Sequence, residues 1–196
     1  MGSFFNRYYD RLMGPVERRI CHPVRERLLP QIRGAVLEIG SGTGVNFPYY
    51  RQADRVAAIE PEPVMREVSA KRARQSRVPI EVIDAGAERL PFESDTFDAA
   101  VGTLVFCTIP DPKTALEEIR RVCKPGGTLV LFEHVKMDQP ALGKLQDWLT
   151  PAWKRMCGGC HLNRNTLQHV EQAGFRIRRT ERMYKNLFLI VEAENP

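Results

Sequence analysis

The sequence VLEIGSGTGVNF, from Val36 to Phe47, decides the fold. An apolar run ends in Glu38, and glycines follow at Gly40, Gly42 and Gly44. Glycines this close together let the backbone turn sharply from a strand into a helix and pass almost in contact with a bound nucleoside. The spacing is GxGxG with a carboxylate upstream, whereas a dinucleotide fingerprint reads GxGxxG, so the pattern points away from a dinucleotide.

Strand patterns alternate with helical patterns after Ala35. Strands are predicted over residues 36–40, 55–60, 80–85, 97–105 and 127–135. Helical periodicity is clearest over residues 62–77 and 111–122, and KPGG at 124–127 is predicted to be the turn before the fifth strand. Repeated strand-helix units predict a mostly parallel sheet covered by helices.

The segments on either side of this core follow other patterns. Val16, Ile20, Val24 and Leu28 recur at steps of four, which predicts N-terminal amphipathic helices punctuated by prolines. Residues 136–162, rich in Pro, Gly, Trp and Cys, are predicted to be irregular, and a helix over 164–173 follows. Two final strands over 175–184 and 187–193 would pair as an antiparallel hairpin.

The fold class is therefore predicted to be α/β: a Rossmann-like, doubly wound, mostly parallel seven-stranded sheet with a terminal hairpin. At 196 residues the chain fits one domain. Its predicted parts are an N-terminal helical cap (1–34), a cofactor-binding core (35–135), and a C-terminal part (136–196). The C-terminal part contains the terminal hairpin and a small cap insert that is predicted to contact the substrate.

Charge is unevenly distributed around a formal net value of +5. Residues 1–35 carry seven arginines and three acidic residues, and residues 144–185 carry nine basic and three acidic residues. Basic ends favour an anionic acceptor or an anionic membrane surface, although a solvated charged face has the same pattern. Nucleic acid is not expected as a partner, because no nucleic-acid-binding motif accompanies the charge. The oligomeric state is left open.

Cysteine usage and the N-terminus bear on location. An odd count of five scattered cysteines favours reduced thiols in the cytoplasm. The opening MGSFFNRYYDRLMG lacks the apolar core of a signal peptide, and no eighteen apolar residues run together. The sequence predicts a cytoplasmic protein that is soluble or peripherally attached to a membrane.

Glu60 lies twenty residues after Gly40, at the end of the second predicted strand. An acidic side chain at that distance accepts hydrogen bonds from the hydroxyls of a bound ribose. Adenosyl cofactors and NAD both fit this contact, so a nucleotide-dependent oxidoreductase stays open on this observation alone.

Further motifs carry a resemblance. GAERLPFESDTFD (86–98), FDAAVGTLVFCTIPDP (97–112) and VCKPGGTLVLFEHV (122–135) resemble, in order, segments of the class I S-adenosylmethionine-dependent methyltransferases. The resemblance covers residues 36–135 and implies S-adenosylmethionine as cofactor and S-adenosylhomocysteine as product. Carried over by motif, the cofactor-binding positions are Glu38, Gly40, Gly42, Gly44, Glu60, Pro61, Gly86, Ala87, Glu88, Thr103 and Leu104.

One departure from the family pattern concerns adenine. Gly86 stands where the family usually has an aspartate for the adenine amino group. Either Glu88 makes that contact, or backbone groups and apolar packing hold the ring. A noncatalytic cofactor-binding protein is an alternative that this departure supports.

The acceptor is indicated by a narrower resemblance. FCTIPDP, FEHV and DWLTPAWKRMCGGCHLNRNT resemble elements of the alkyl-thiol S-methyltransferases, whereas the core also resembles quinone C-methyltransferases and phospholipid N-methyltransferases. The sequence thus predicts methyl transfer to a small-molecule acceptor with a thiol or sulfide sulfur, with a phospholipid or quinone as the alternative. Without the hydrophobic N-terminal anchor of the thiol enzymes, membrane contact is an open question.

His134, at the end of the fifth predicted strand, is the candidate catalytic base, because imidazole accepts a proton near neutral pH. A structural role for this histidine is the alternative. Tyr9, Cys107, Trp148 and Trp153 are predicted to line the acceptor pocket, although aromatic residues also pack caps onto cores.

CGGCH, from Cys157 to His161, has the spacing of a haem attachment motif. Its two cysteines and one histidine are one ligand short of a closed zinc site, so no metal is predicted. A redox-sensitive cysteine pair or a plain turn in the acceptor cap fits the segment better.

Overall fold

The computed structural model describes residues 14–196. Seven strands form one sheet in the order β3-β2-β1-β4-β5-β7-β6. They are β1 (Arg33–Ile39), β2 (Gln52–Ile59), β3 (Ile80–Ile83), β4 (Phe97–Thr103), β5 (Cys123–His134), β6 (Arg176–Met183) and β7 (Phe188–Glu194).

Helices flank this sheet. Those labelled here are α1 (His22–Leu28), α2 (Pro63–Ala73), α3 (Pro112–Val122), α4 (Pro140–Met156) and α5 (Thr166–Gln172). A π-helical turn, Glu17–Cys21, precedes α1, and 3-10 turns lie at Leu29–Gln31 and Phe47–Tyr49.

The strand pairing confirms the predicted Rossmann-like, mostly parallel sheet with a terminal hairpin. Strand β1 is parallel to β2 and β4, and β5 continues the parallel set beside β4. Strand β7 is antiparallel to both β5 and β6. The chain reverses its winding direction between β1 and β4, and open α/β sheets bind ligands above the carboxyl ends at such a point.

Alternate side chains of the central strands pack on opposite faces of the sheet. Leu37 and Ile39 of β1 belong to the larger core, in which α3 contributes Leu116. Val36 points to the other face and belongs to a second core with Phe47. Burial on both faces follows from the period of two along a strand and explains the continuous apolar runs.

Helix α3 forms where the sequence predicts it. The Asp111 carboxylate caps its first turn by accepting hydrogen bonds from the amides of Lys113 (3.1 Å) and Thr114 (3.2 Å). Pro112 sits in the first turn, where a missing N–H removes no helical hydrogen bond. The predicted apolar face is fully buried and consists of Ala115, Leu116, Ile119 and Val122.

The connections around β1 and β5 differ from the simple strand-helix alternation. Between β1 and β2 the only described helical element is the 3-10 turn Phe47–Tyr49, because three glycines take up the left-handed backbone there. KPGG is not a turn ahead of β5. Cys123 already pairs with Phe97, and the glycine-rich segment forms an irregularity within the strand, with Gly126 at φ +79°.

The prediction that residues 136–162 are irregular is wrong, because they contain the 17-residue helix α4. Pro140 lies at its start, where proline is tolerated, and the helix continues through Pro151. Gln146 links α4 to the residue after β5 and to the loop that follows α4, because its Nε2 donates to the carbonyls of Val135 (3.1 Å) and Leu162 (2.8 Å). Among the described residues, no helix is long and apolar enough to cross a membrane.

Asp98 joins three neighbouring strands near their amino ends. Its Oδ2 accepts a hydrogen bond from the Ala35 amide on β1 at 2.8 Å, and its Oδ1 lies 2.6 Å from Nζ of Lys124 on β5. The hydrogen bonds with Lys124 and Ala35 lower the pKa of Asp98. Asp98 therefore has a structural role at the edge of the sheet opposite the cleft.

We expect Asp98→Asn to lower the free energy of unfolding by about 1 kcal/mol at pH 7, since the side chain is partly exposed and such ion pairs contribute little. A carboxyl whose pKa is lower when folded stabilises the fold above its unfolded pKa, near 3.9, and loses that effect as pH falls through the folded value. Urea unfolding from pH 7 to pH 2 should therefore show the two proteins converging in acid.

Glu67→Gln is the matched control, because Glu67 pairs with Lys71 at 2.7 Å on the surface of α2 without a backbone partner. Its unfolding curve should match that of the unaltered chain. An Asp98→Asn protein as stable as this control would contradict the structural role of Asp98.

Candidate active site

The turn after β1 depends on glycine at two positions. Gly40 has φ +57°, and a Cβ there would lie 2.2 Å from Cγ2 of Val105. Gly44 has φ +81°, and its Cβ would lie 2.6 Å from Cε2 of Phe47. The absence of a side chain at Gly40 therefore lets the turn pack against the loop after β4, and its absence at Gly44 lets the turn close on Phe47.

Glu60 is held at the end of β2 by two backbone amides. Its Oε2 accepts from the Gly42 amide at 2.8 Å, and its Oε1 accepts from the Glu62 amide at 2.9 Å. Burial raises the pKa of Glu60, and the two amides oppose that rise. Each carboxylate oxygen accepts more than one hydrogen bond, so hydroxyl groups of a ligand can share it.

Two adjoining cavities lie above the carboxyl ends of β1, β2 and β4. The larger has a volume of about 420 Å³, and the smaller about 130 Å³. Five residues line both cavities and mark their junction: Gly40, Glu60, Pro61, Val105 and Thr108. The larger is also lined by Gly42, Thr103, Leu104, Cys157 and Gly158, and the smaller by Ile39, Ile59, Gly86, Ala87, Glu88 and Ile109.

The smaller cavity combines apolar walls with two carboxylate residues, Glu60 at the junction and Glu88. Ile39 and Ile59 come from strand ends, and Ala87 is buried. Oε1 of Glu88 accepts a hydrogen bond from the Asp111 amide at 3.3 Å, which directs this side chain to the helix that follows. A flat heteroaromatic ring fits such a slot, with Glu88 as the acceptor for an amino group.

Glu38 lies at the base of the turn, 1% exposed. Asn46 Nδ2 donates to Glu38 Oε1 at 3.1 Å and to the Thr103 hydroxyl at 3.0 Å. Burial raises the pKa of Glu38 to about 7, while nearby Tyr50, Asn46 and Arg25 favour its ionised form.

Arg25 is a site residue that the sequence analysis missed. It is 3% exposed, lines the larger cavity, and pairs with Glu17. Its Nε donates to Asn46 Oδ1 at 2.5 Å, which connects α1 to the Glu38 network. One arginine among seven in the N-terminal segment carries no sequence signal of its own, since only the fold shows which is buried.

Glu133 positions the loop after β4. Its fully buried Oε1 accepts from the amides of Val105 (2.9 Å) and Phe106 (3.1 Å). Burial raises the pKa of Glu133 to about 7. Leu104 has φ +53°, a costly conformation for a residue with a side chain, and these hydrogen bonds help to impose it.

Cys107, His134 and Cys160 form a buried cluster behind the wall of the larger cavity. His134 Nε2 lies 3.3 Å from Cys160 Sγ. Hydrogen bonding from Cys107 and His134 lowers the pKa of Cys160 against the effect of burial. Burial is the largest influence on the pKa of His134 and acts to lower it, but the hydrogen bond to Cys160 and the negative charges of Cys160 and Glu133 together raise it.

Most residues predicted from the cofactor motif meet at the two cavities. Gly40, Gly42, Glu60, Pro61, Thr103 and Leu104 line the larger, and Gly86, Ala87 and Glu88 the smaller. Glu38 and Gly44 lie behind the lining, where they shape the turn.

The predicted acceptor residues are more scattered. Trp148 is 76% exposed on α4 and lines neither cavity. Trp153 is half-exposed and contacts Cys160, while Cys107 joins the buried cluster. Tyr9 lies outside the described residues. The cap residues that line the larger cavity are Cys157 and Gly158.

Comparisons with known proteins agree with this geometry. A family model described as "Methyltransferase domain" matches residues 37–131. The human thiol S-methyltransferase TMT1B is 32% identical over 180 residues, covering 86% of this chain and 74% of that protein. Rattus norvegicus TMT1B is 35% identical over 144 residues, and the match covers 71% of this chain but 59% of that protein.

A solved structure of a SAM-dependent methyltransferase from Thermotoga maritima shares the fold. It superposes with a TM-score of 0.71 at 22% identity, covering 100% of this chain and 99% of that one. The sheet order, the glycine turn and the acidic end of β2 define a Rossmann-like transferase that binds an adenosyl cofactor. The chain belongs to the S-adenosylmethionine-dependent methyltransferase family.

The residues present fit S-adenosylmethionine. Gly40 and Gly42 line the larger cavity beside Glu60. A Cβ on Gly42 would meet nothing closer than 4.0 Å, so this glycine faces open space. Glu38 Oε2 is buried without a hydrogen-bond partner among the described residues. S-adenosylmethionine has an adenine ring that suits the apolar slot of the smaller cavity. Its amino acid tail carries an ammonium group that suits the buried Glu38 carboxylate.

Glu60→Gln should weaken binding of S-adenosylhomocysteine about ten- to hundredfold, because hydrogen bonds to a charged group contribute about 1.5–3 kcal/mol. Isothermal titration calorimetry measures this directly. Glu62→Gln is the matched control, since Glu62 also lines the larger cavity and donates to Glu60 through its backbone amide, which the substitution keeps. Equal affinities for the two variants would contradict the assigned role of Glu60.

Glu38 should make stability depend on pH. A carboxyl whose pKa is higher in the folded chain binds its proton more tightly there, so its contribution is greatest below the unfolded pKa, near 4.3. That contribution declines as pH rises toward the folded value, about 7. In cofactor-free protein, urea unfolding from pH 4.5 to 7.5 should show a smaller decline for Glu38→Gln, and an unchanged slope would refute this.

Proposed function

We propose that this chain transfers a methyl group from S-adenosylmethionine to the sulfur of a small thiol. The observation that carries the acceptor is the extent of the human TMT1B match, which covers 86% of this chain. The residues outside that match are fewer than the residues that follow β5. The match therefore extends into the cap as well as covering the cofactor-binding core. The family model, by contrast, ends at residue 131.

In this proposal the two cavities divide the cofactor between them. The smaller holds the adenine against Ile39, Ile59 and Ala87, with Glu88 accepting from its amino group. Glu60, at the junction, accepts from the ribose hydroxyls. The larger cavity takes the amino acid tail near Thr103 and the Glu38 network, with the buried Arg25 as a partner for a carboxylate.

When bound, the cofactor supplies a methyl group already activated on a sulfonium. The chain's own residues therefore need only align the acceptor and exclude water. Leu104, Cys157 and Gly158 line the larger cavity on the side of the cap, where space remains for a small acceptor. A thiol with an ordinary pKa near 8.5 needs little help to ionise, so these residues need not supply a base.

His134 contributes to turnover indirectly in this proposal. It lines neither cavity, and its Nε2 contacts Cys160 in the loop that continues from Cys157 and Gly158. Its part is to position that loop, rather than to take a proton from the acceptor directly. His134→Ala should then lower turnover more than cofactor affinity.

Peripheral membrane contact is proposed from α4. Its apolar residues Leu145, Trp148 and Met156 are exposed, and Lys154 and Arg155 stand near its end. Apolar and basic side chains on one helix suit the interface of an anionic bilayer.

We expect release of S-adenosylhomocysteine to depend on small thiols, hydrogen sulfide included, when a panel also contains a quinone and phosphatidylethanolamine vesicles. His134→Ala should reduce that release at least about tenfold with little change in affinity for S-adenosylhomocysteine. His161→Ala is the matched control, because His161 follows Cys160 but lies outside the cluster.

The other arms of the panel separate the alternatives. Release with the quinone or lipid alone would overturn the thiol acceptor and leave the cofactor assignment intact. Cofactor binding without release in any arm would favour a noncatalytic binding protein. Sedimentation with anionic vesicles, compared between the unaltered chain and Trp148→Ser, tests the membrane contact.

A further inference from the structure

Three potential metal ligands converge from separate parts of the chain. Cys107 lies in the loop after β4, His134 is the last residue of β5, and Cys160 lies in the cap loop after α4. Their ligand atoms all lie within 4.8 Å of one another. The fold itself therefore brings two sulfurs and one imidazole nitrogen together from three distant segments of the chain.

The geometry is close to that of a tetrahedral thiolate-imidazole site. Zinc bonds of about 2.3 Å to sulfur and 2.0–2.1 Å to nitrogen place sulfur and nitrogen ligand atoms about 3.5 Å apart and two sulfurs about 3.8 Å apart. His134 Nε2 and Cys160 Sγ are 3.3 Å apart, within a few tenths of an ångström of that separation. Small adjustments of the Cys107 side chain would complete the arrangement.

The surroundings hold these ligands in place. Cys107 is 3% exposed. The amide of His161 donates to the Cys107 carbonyl at 2.8 Å, and Arg164 Nη1 donates to the Ile109 carbonyl at 2.7 Å. Both bonds attach the cap loop to the loop after β4, so Cys160 is preorganised rather than free to move away.

The cluster does not use the ligand set that the sequence motif suggests. Cys157 and His161 belong to CGGCH but not to the cluster, which takes only Cys160 from that motif. The other two ligands come from the carboxyl side of the sheet. Spacing along the chain pairs Cys157 with Cys160, whereas the fold pairs Cys160 with Cys107 and His134.

We propose that Cys107, His134 and Cys160 bind Zn²⁺ or a similarly thiophilic divalent cation. Two thiolates and one neutral imidazole are soft ligands of the kind that zinc prefers, and their charges balance those of the ion. Three protein ligands leave one tetrahedral position for a small ligand. The ion would clip the cap loop to the sheet beside the larger cavity.

The test is metal content and binding in the full chain, purified without a histidine tag under reducing conditions and dialysed against Zn²⁺. Elemental mass spectrometry should find about one zinc ion per chain in the unaltered protein. The zinc content of Cys160→Ser should be at least tenfold lower. Cys157→Ser is the matched control and should keep its zinc. Circular dichroism of the variants checks that each is folded.

Cobalt substitution provides a measurement that needs no variant. Co²⁺ bound by the intact chain should give thiolate-to-cobalt charge-transfer bands and intense visible bands of tetrahedral coordination, with one equivalent at saturation. The proposal is overturned if the unaltered chain binds no more zinc than Cys160→Ser, or if Co²⁺ gives only octahedral spectra. Neither measurement involves a methyl acceptor, so a failed thiol assay and a failed metal site are distinguishable.

Discussion

The hydrogen bond from the Gly42 amide to the Glu60 carboxylate fixes the relation between β1 and β2 above the sheet, and the rest of the cleft depends on it. It forms only because the turn adopts left-handed backbone at Gly40 and Gly42. Gly40 in turn approaches Val105, whose amide is held by Glu133 of β5. Four strand ends are thereby joined, mainly through carboxylate side chains that accept hydrogen bonds from backbone amides.

Buried carboxylates recur at these strand ends. Glu38, Glu60 and Glu133 are at most 6% exposed and follow or end β1, β2 and β5. Burying a carboxylate is costly unless hydrogen bonds compensate, and here they come mainly from backbone amides and Asn46. Burial of these carboxylates thus lowers folding stability at the cleft, but it holds their oxygens in fixed positions as hydrogen-bond acceptors. Such an arrangement is common at ligand sites.

The residues that the sequence assigns to the cofactor lie close together because that side of the cleft is built from local segments. Gly40, Gly42 and Glu60 occupy the ends of consecutive strands, so their spacing in the chain fixes their separation in space. The acceptor side is built from distant segments, and the residues that the sequence assigns to it are scattered. The Pro and Gly content of residues 136–162 predicts an irregular segment, whereas tertiary contacts such as those of Gln146 stabilise α4, which continues through Pro151. Trp148 has an aromatic side chain suited to a pocket, but only the helix phase shows that it faces outward. The association of Cys160 with Cys107 rather than Cys157 is likewise a property of the folded chain.

The two tryptophans of this chain, Trp148 and Trp153, both lie on α4. One is 76% exposed, and the other is 41% exposed and contacts Cys160. Thiolates quench indole emission, so the fluorescence of Trp153 reports on the state of its sulfur neighbour while Trp148 supplies a solvent-exposed background. The tryptophan fluorescence of the whole protein is consequently a spectroscopic signal from the cap alone, because the sheet and the cofactor core contain no indole.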